Sequence, residues 1–415
     1  MFPASVFKID NGLTLIHQEI STTPVVVADV WVRAGATLEP ESWSGMAHFL
    51  EHMIFKGTEK LKAGVFDKTI EKWGGVSNAA TSYDYAHYSL TTASTYFQET
   101  LPLMGELLLN AAIPESELKH ERNVVLEEIR QASDNPDWIG YQALYKSVYR
   151  QHPYGRSILG SEQNVAKHQA QQLRSFHRAH YQPENMTVAI AGGINSSIAL
   201  QLVNGAFNKF APPSSDCPAT NIATKPTIIG IRRQEIQLAR IEQARLLMAW
   251  ITPGVEELRT GYALDLLSII LAGGRTSRLV SDLREKQQLV NGIYSSFSLQ
   301  QQSSLFTINV WLESEQLERV ESLIRLHLQD LTTWGITEQE LSRAKRLLCN
   351  DYAFSTETPN QLAGLYGYYN TIASAELSVT YPQQIQSFDV KELKNIAYKY
   401  LSPNNYAVTV IKPRD

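Results

Sequence analysis

The chain has 415 residues, of which 43% are apolar and 19% are charged, and its formal net charge is −5. This composition supplies enough apolar material for two or more domains with hydrophobic cores, and the charge gives no indication of nucleic-acid binding. No stretch approaches the roughly 18 uninterrupted apolar residues of a membrane span, and the first residues lack a charged segment followed by an apolar one. We therefore expect a cytoplasmic location without a membrane span.

The first predicted helix, over residues 44–57, carries two histidines and a glutamate on or beside one face. Successive residues advance about 100° around a helix, so His48 and His52 project one turn apart, where two imidazoles can bind one metal ion. Glu51 flanks the same face, where its carboxylate can take a proton from water activated by the metal. The H-x-x-E-H pattern is typical of the inverzincin zinc hydrolases.

A second helix with unusual carboxylates is predicted over residues 117–130, which are rich in helix formers and contain neither Gly nor Pro. Its positions i, i+3, i+4 and i+7 are occupied by Glu121, Val124, Val125 and Glu128. Two carboxylates therefore share one face with apolar residues that can pack against the core. The alternative, from these residues alone, is a solvated acidic face on which Glu127 and Glu128 are both exposed.

A proline-rich segment divides the chain into two similar halves. Residues 211–227 contain four prolines and many small polar residues, which predict an extended linker between residues 1–210 and residues 228–415. Each half has the same order of elements: a strand, a helix ending in Gly, further strands and helices, and a closing strand. This pattern predicts an α+β fold of two homologous halves, each a mixed β-sheet with helices packed on one face.

The duplication also predicts that only the first half binds metal. Aligning Gly57 with Gly273 replaces the two histidines and the glutamate of the first half with Leu264, Ser268 and Leu267. This conclusion does not depend on the exact alignment, since no histidine occurs between His180 and His327.

The motif residues resemble those of the pitrilysin-type zinc metallopeptidases. Glu128 follows His52 after 75 residues and ends a run, E-x-N/D-x-V-x-x-E, that is similar to one in this family. The resemblance implies that Glu128 is the third ligand of one Zn²⁺ per chain, and that Glu121 is a nearby carboxylate important for activity. Glu127 is a rival ligand, but it lies about 100° away from the face that Glu121 and Glu128 share.

Three further segments, residues 55–58, 74–79 and 153–160, are similar to the mitochondrial processing peptidase branch and its bacterial relatives. The resemblance covers essentially the whole chain. It implies a clam shell of two halves around a chamber that admits unfolded peptides. It also implies that Asn78 and Ala79 belong to an exposed edge strand that takes the substrate as an added strand.

A segment of the second half departs from the family pattern. In the family, an arginine and a tyrosine seven residues apart reach the substrate near the zinc; here Arg284 matches the arginine, but Asn291 stands at the tyrosine position. A phenol that could donate to a tetrahedral oxyanion is thus missing, and Tyr294 is a substitute that would point differently on a strand. In some two-subunit relatives the partner supplies this pair, so the resemblance implies a heterodimer with a related subunit that bears the arginine and the tyrosine. The alternative is a homodimer or monomer with a weakened oxyanion site.

The motif residues and the resemblance together imply a zinc-dependent endopeptidase that cleaves short or unfolded peptides in an enclosed chamber. Glu51 is the predicted general base. One alternative is a zinc-bearing subunit that is inactive without a partner supplying the arginine and tyrosine. Another is a non-catalytic scaffold subunit, although the zinc motifs of such scaffolds are typically broken.

Overall fold

A computed structural model describes residues 2–220 and 226–414. Residue contacts divide the chain into two compact units. The first unit consists of Met1–Arg130, Ser157–Ile222 and Ser355–Val379. The second consists of Gln131–Arg156, Ala223–Phe354 and Thr380–Asp415. Each unit therefore contains a segment from the other half of the sequence.

Eleven strands in the described part of the chain form two sheets. They are β1 Ser5–Lys8, β2 Thr14–Glu19, β3 Val25–Val32, β4 Val76–Thr81, β5 Ala86–Ala93, β6 Met186–Gly192, β7 Ile231–Leu238, β8 Ala244–Pro253, β9 Gly292–Ser298, β10 Ser303–Leu312 and β11 Tyr406–Pro413. The first unit has a six-stranded sheet in the order β1-β2-β6-β3-β5-β4. The second has a five-stranded sheet in the order β7-β11-β8-β10-β9.

Fourteen α-helices accompany these sheets within the same described residues. They are α1 Met46–Ile54, α2 Val65–Lys72, α3 Phe97–Leu109, α4 Glu115–Asp134, α5 Pro136–Tyr149, α6 Glu162–Val165, α7 Ala170–His180, α8 Ser196–Ala206, α9 Leu258–Ala272, α10 Leu317–Thr333, α11 Glu338–Phe354, α12 Pro359–Ile372, α13 Tyr381–Ser387 and α14 Val390–Tyr400. A π-helical segment, Val280–Lys286, precedes β9.

The two sheets share one pairing pattern. In the first unit, β2 and β6 are parallel, and β6, β3, β5 and β4 then pair antiparallel in that order. In the second unit, β7 and β11 are parallel, and β11, β8, β10 and β9 follow antiparallel. Both sheets are therefore mixed, and the prediction of two homologous α+β halves is confirmed.

Strand β3 explains how the first unit is layered. All its residues except the first are buried, which is expected of a strand covered on both faces. Val26, Ala28 and Val30 belong to the main core with α1 and α3, whereas Val27 belongs to a smaller cluster with Ala363 of α12. The main core positions α1 beneath the edge of the sheet, where α1 contacts β4.

The structure describes only part of the predicted linker, residues 211–227. Residues 211–220 and 226–227 contain no helix or strand, whereas residues 221–225 of the predicted linker lie outside the described residues. None of the helices in the described ranges is long and apolar enough to cross a membrane.

Candidate metal centre and active site

Helix α1 carries the H-x-x-E-H motif and begins against a buried carboxylate. Glu39 is 1% exposed, and its two carboxylate oxygens accept hydrogen bonds from the backbone N–H groups of Gly45 (2.9 Å) and Ala47 (2.7 Å). A negative charge at this end of the helix also complements the helix dipole. Glu39 therefore fixes the start of α1, which begins at Met46, two residues before His48.

Two glycines, Gly45 and Gly160, allow the loop that ends at Gly160 to pack closely against the N-terminus of α1. Gly45 has a φ of +89° and Gly160 a φ of +77°. A Cβ on Gly160 would lie 2.5 Å from the carbonyl oxygen of Ser44, so the two backbones can approach only without side chains. The loop that ends at Gly160 thereby holds α1 in place.

The structure brings His48, His52 and Glu128 together. Nε2 of His48 lies 3.5 Å from Oε2 of Glu128, and Nε2 of His52 lies 3.4 Å from the same oxygen. Within residues 2–220 and 226–414, these three form the one group of at least three His, Cys, Asp or Glu side chains able to hold a metal ion, with ligand atoms within 4.8 Å of one another. The C-terminal half contributes no residue to this cluster.

The donor chemistry fits a zinc ion. Two imidazole nitrogens and one carboxylate oxygen are a ligand set of zinc peptidases that keep a coordination position open. Burial, and secondarily the charge of His52, lowers the pKa of His48 to about 4, so its imidazole is neutral, as a ligand must be. Its Nδ1 is buried and has no hydrogen-bond partner among the described residues, unlike Nδ1 of His52.

Glu121 lies behind His52 on α4. Its Oε1 is 2.9 Å from Nδ1 of His52, an arrangement in which the Nδ1–H group donates a hydrogen bond to the carboxylate and Nε2 is left free to bind metal. Val125 is buried in the core and anchors this face of α4. Val124 was expected to contribute to the same packing, but it is 46% exposed. Glu121 is 8% exposed, so its position is set by packing as well as by hydrogen bonding.

Glu127 lies away from the cluster and pairs with Arg130 on the solvent side of α4, at 3.4 Å. Its side chain is 57% exposed, compared with 39% for Glu128. The helical offset of about 100° that separates neighbouring residues accounts for this difference.

Glu51 is bound by a residue that the sequence did not single out. The hydroxyl of Thr81 donates to Oε2 of Glu51 at 2.5 Å. Burial raises the pKa of Glu51, and the Thr81 hydrogen bond and the charges of His52 and His87 partly offset this increase. Thr81 lies two residues beyond Ala79 on a predicted strand, and the alternation of a strand is the signal that would have placed both on one face.

Asn78 and Ala79 lie on β4, which ends the six-stranded sheet. Within the described residues, β4 pairs only with β5, where Asn78 is opposite Ser89 and Ala79 opposite Tyr88. The outer main-chain groups of β4 are thus those of an edge strand beside Thr81, the partner of Glu51.

Arg284 lies in the π-helical segment of the second unit, where its guanidinium binds Glu285 at 2.7 Å. Asn291 immediately precedes β9 and is exposed. Tyr294 on β9 packs its ring against Trp311, with the ring centroids 5.2 Å apart. Ile293, its neighbour, packs into the core, so Tyr294 is on the opposite face of β9.

Comparisons with known proteins agree with this geometry. Residues 14–162 match the family model described as Insulinase (Peptidase family M16), and residues 167–348 match that of the Peptidase M16 inactive domain. The chain belongs to the pitrilysin-type peptidase family M16. The match to the model named inactive begins in the first half and includes residues 228–348 of the half in which the duplication predicted no metal site.

Two curated relatives of this M16 chain are named as zinc proteases. The zinc protease PqqE of Helicobacter pylori is 28% identical over 408 residues, covering 98% of this chain and 92% of the relative. The uncharacterized zinc protease YmxG of Bacillus subtilis is 27% identical over 416 residues, covering 98% of each. The crystal structure of a protease from Helicobacter pylori matches with a TM-score of 0.91 and 27% identity over 99% of both chains.

Proposed function

We propose that this chain is a zinc-dependent endopeptidase of the processing peptidase-like kind, which cleaves short or unfolded peptides with Glu51 as the general base. The observation that carries the proposal is the convergence of His48, His52 and Glu128, with Glu51 on the helix of the two histidines. Membership of family M16 and relatives named as zinc proteases support the same class of reaction.

The side chains divide the chemistry among them. His48, His52 and Glu128 would hold a zinc ion, which would supply the Lewis acidity that favours attack of water on a peptide carbonyl. Glu51, whose Oε2 accepts a hydrogen bond from Thr81, accepts the proton of that water and then delivers it to the leaving amine. Its raised pKa suits both roles, because it lies closer to neutral pH than that of an exposed glutamate. Glu121 maintains the orientation of His52.

The edge strand β4 is the proposed peptide-binding element, with Asn78 and Ala79 pairing with the substrate main chain. Strand addition requires an extended substrate segment, and only short or unfolded peptides can present one. The main-chain hydrogen bonds would position the peptide beside Thr81 and Glu51 and would demand little of its side chains. We therefore expect broad tolerance of substrate sequence.

Replacing Glu51 with Gln tests the proposal. We expect the zinc-loaded wild-type chain to cleave a quenched fluorescent peptide library, and the Glu51→Gln variant to lose roughly a hundredfold or more in rate because it cannot accept the proton. Zinc content measured on the same samples should remain one ion per chain in both. Residual cleavage above about one tenth of the wild-type rate would exclude Glu51 as the general base.

The ligand assignment has a matched control on the same helix. Glu128→Gln should weaken zinc binding and abolish cleavage, whereas Glu127→Gln should change neither, because Glu127 faces solvent and binds Arg130. Zinc affinity is measured by competition with a chelator. Equal effects of the two substitutions would overturn the assignment of Glu128.

A second candidate function is a zinc-bearing subunit that requires a partner. It is favoured by Asn291, which cannot replace the phenol of the family, and by Tyr294, whose ring packs against Trp311. In that case the wild-type chain would bind one zinc ion per chain but would not cleave the peptide library. Cleavage would begin only when a partner bearing the arginine and the tyrosine is added. A non-catalytic scaffold subunit would bind no zinc, so the metal assay separates it from both.

A further inference from the structure

Lys56 occupies a fixed position just beyond the motif helix. α1 ends at Ile54, and the backbone N–H of Lys56 donates to the carbonyl of Met53 at 3.1 Å. Gly57 follows with a φ of +100°, and a Cβ there would lie 2.5 Å from the carbonyl oxygen of Leu61. Only glycine fits this turn, which fixes the backbone of Lys56. Lys56 follows His52 by four residues in sequence.

The Lys56 side chain completes a chain of contacts that ends at a metal ligand. Its Nζ lies 2.6 Å from Oε2 of Glu121, and the other oxygen of Glu121 lies 2.9 Å from Nδ1 of His52. The Glu121 side chain is 10% exposed and the Lys56 side chain 28%. Both carboxylate oxygens of Glu121 thus have a charged or hydrogen-bonding partner, which fixes the orientation of the carboxylate plane.

The charges around the cluster explain why this contact matters. Three carboxylates, those of Glu51, Glu121 and Glu128, lie on or next to the ligand set. A buried carboxylate is costly unless it is paired and hydrogen-bonded. Without the Lys56 ammonium, Glu121 would gain by turning toward solvent and away from His52, whose ring would then lose its fixed orientation.

We propose that Lys56 is a positioning residue of the metal centre: it holds Glu121 against Nδ1 of His52, so that Nε2 of His52 remains directed at the metal. This inference rests on the proposed function only in requiring that zinc binds at His48, His52 and Glu128. It does not require that the chain cleaves peptides. In this arrangement Lys56 acts through Glu121, the carboxylate with which it forms an ion pair.

The affinity of the full-length protein for Zn²⁺, measured by chelator competition, tests the proposal without reference to activity. We expect Lys56→Met to weaken zinc binding about tenfold or more, the range typical of residues that orient metal ligands, and Lys56→Arg to restore most of the loss. Lys60→Met is the matched control, because Lys60 pairs with Glu106 at 3.0 Å and its side chain is 75% exposed. This control should bind zinc like the wild type.

A double-mutant cycle distinguishes action through Glu121 from a merely structural effect. If Lys56 acts through Glu121, Lys56→Met should add little to the loss caused by Glu121→Gln, so the two effects are not additive. The visible spectrum of the Co²⁺-loaded proteins should change in both single variants, since both release the His52 ring. Circular dichroism verifies folding, and Lys56→Gln replaces Lys56→Met if the latter does not fold.

Two results would overturn the proposal: wild-type zinc affinity in Lys56→Met, or fully additive losses in the cycle. Failure of the proposed function looks different. A wild-type chain that binds zinc tightly but cleaves no peptide would contradict the endopeptidase proposal, while the dependence of zinc affinity on Lys56 would still be measurable.

Discussion

Thr81 connects the proposed base to the strand on which the substrate is expected to bind. Its hydroxyl donates to Oε2 of Glu51 at 2.5 Å, and it lies on the edge strand β4 with Asn78 and Ala79. One residue therefore couples the orientation of the carboxylate to the position of the peptide. The hydroxyl is the only group of Thr81 that can do this, so substitution with Val or Ser separates its chemistry from its shape.

Thr81→Val should reduce kcat/KM roughly tenfold to a hundredfold, because a hydrogen bond to a charged group contributes about 1.5–3 kcal/mol. The same change removes a hydrogen bond that lowers the pKa of Glu51, so that pKa should rise. Because the base must be ionised, the acidic limb of the kcat/KM profile should shift to higher pH. Steady-state rates between pH 5 and 9 on one fluorescent peptide measure both effects.

Thr81→Ser is the control for that experiment, since it keeps the hydroxyl and loses only a methyl group. It should retain the wild-type acidic limb. An acidic limb that does not move in Thr81→Val would contradict the positioning of Glu51 by Thr81, even if the rate falls.

At the scale of single residues, the sequence predicted the positions that share a helix. The period of α1 placed His48, Glu51 and His52 on or beside one face, and the period of α4 gave Glu121 and Glu128 a common face. The roles of Glu121 and Glu128 came from the family resemblance. Thr81 and Lys56 were not singled out as site residues, because their contacts with Glu51 and Glu121 join different elements. No local periodicity records such a contact, which depends on how the elements pack.

Among the elements, α1 depends on its N-terminal environment because it is short. It has nine residues, a length at which an isolated helix is not stable in water, and its N-cap residue, Gly45, offers no side-chain acceptor. Glu39 provides both acceptors from outside the helix. Glu39→Gln keeps the shape of the side chain but replaces one carboxylate oxygen with an NH₂ group. One of the two buried backbone N–H groups then loses its acceptor.

We therefore expect Glu39→Gln to lower the free energy of unfolding by about 1–3 kcal/mol, the cost of leaving a buried donor unpaired. Zinc affinity should fall as well, because the same helix carries His48 and His52. Urea unfolding and chelator competition measure the two quantities. Glu41→Gln is the control, since Glu41 is exposed, and an equal loss in this variant would indicate a general effect of charge.

The sequence predicted several elements but not how the elements of the two halves pack together. The strand predicted at residues 25–32 is β3, and the helix predicted at 117–130 lies within α4, because each has a clear period and composition. The packing of α12 was not predicted. No helix was predicted at residues 359–372, and nothing in the sequence pattern of this segment states which of the two similar sheets it covers.

For the whole molecule, that packing decides which segments form a structural unit. The guanidinium of Arg33 on the loop after β3 donates to the carbonyls of Asn370 (2.7 Å) and Thr371 (2.8 Å) at the end of α12, and Gly367 lets α12 approach Trp31. Conversely, α5 packs against β8 and β11 of the second unit. The units thus exchange helices relative to the contiguous halves, whose boundaries at 211–227 remain a prediction.

Hydrogen exchange can show whether these contact-defined units are also cooperative units. A metal that binds the native first unit raises the free energy of unfolding of every segment that unfolds together with that unit. The increase grows with the ratio of the metal concentration to the dissociation constant. All three proposed ligands lie in the first unit. Removing zinc with a chelator should therefore accelerate exchange in α12, although it lies more than 200 residues after the ligands in sequence. Exchange in α5, which begins eight residues after Glu128, should change much less.

The pair α12 and α5 makes this experiment a matched comparison, since both helices have 14 residues and begin with proline. Mass spectrometry of peptic peptides, with and without chelator, resolves them separately. If cooperativity followed the contiguous halves instead, α5 would respond to zinc and α12 would not. That result would mean that the contacts of Arg33 with α12 contribute little to cooperative unfolding, and that the sequence duplication alone defines the folding units.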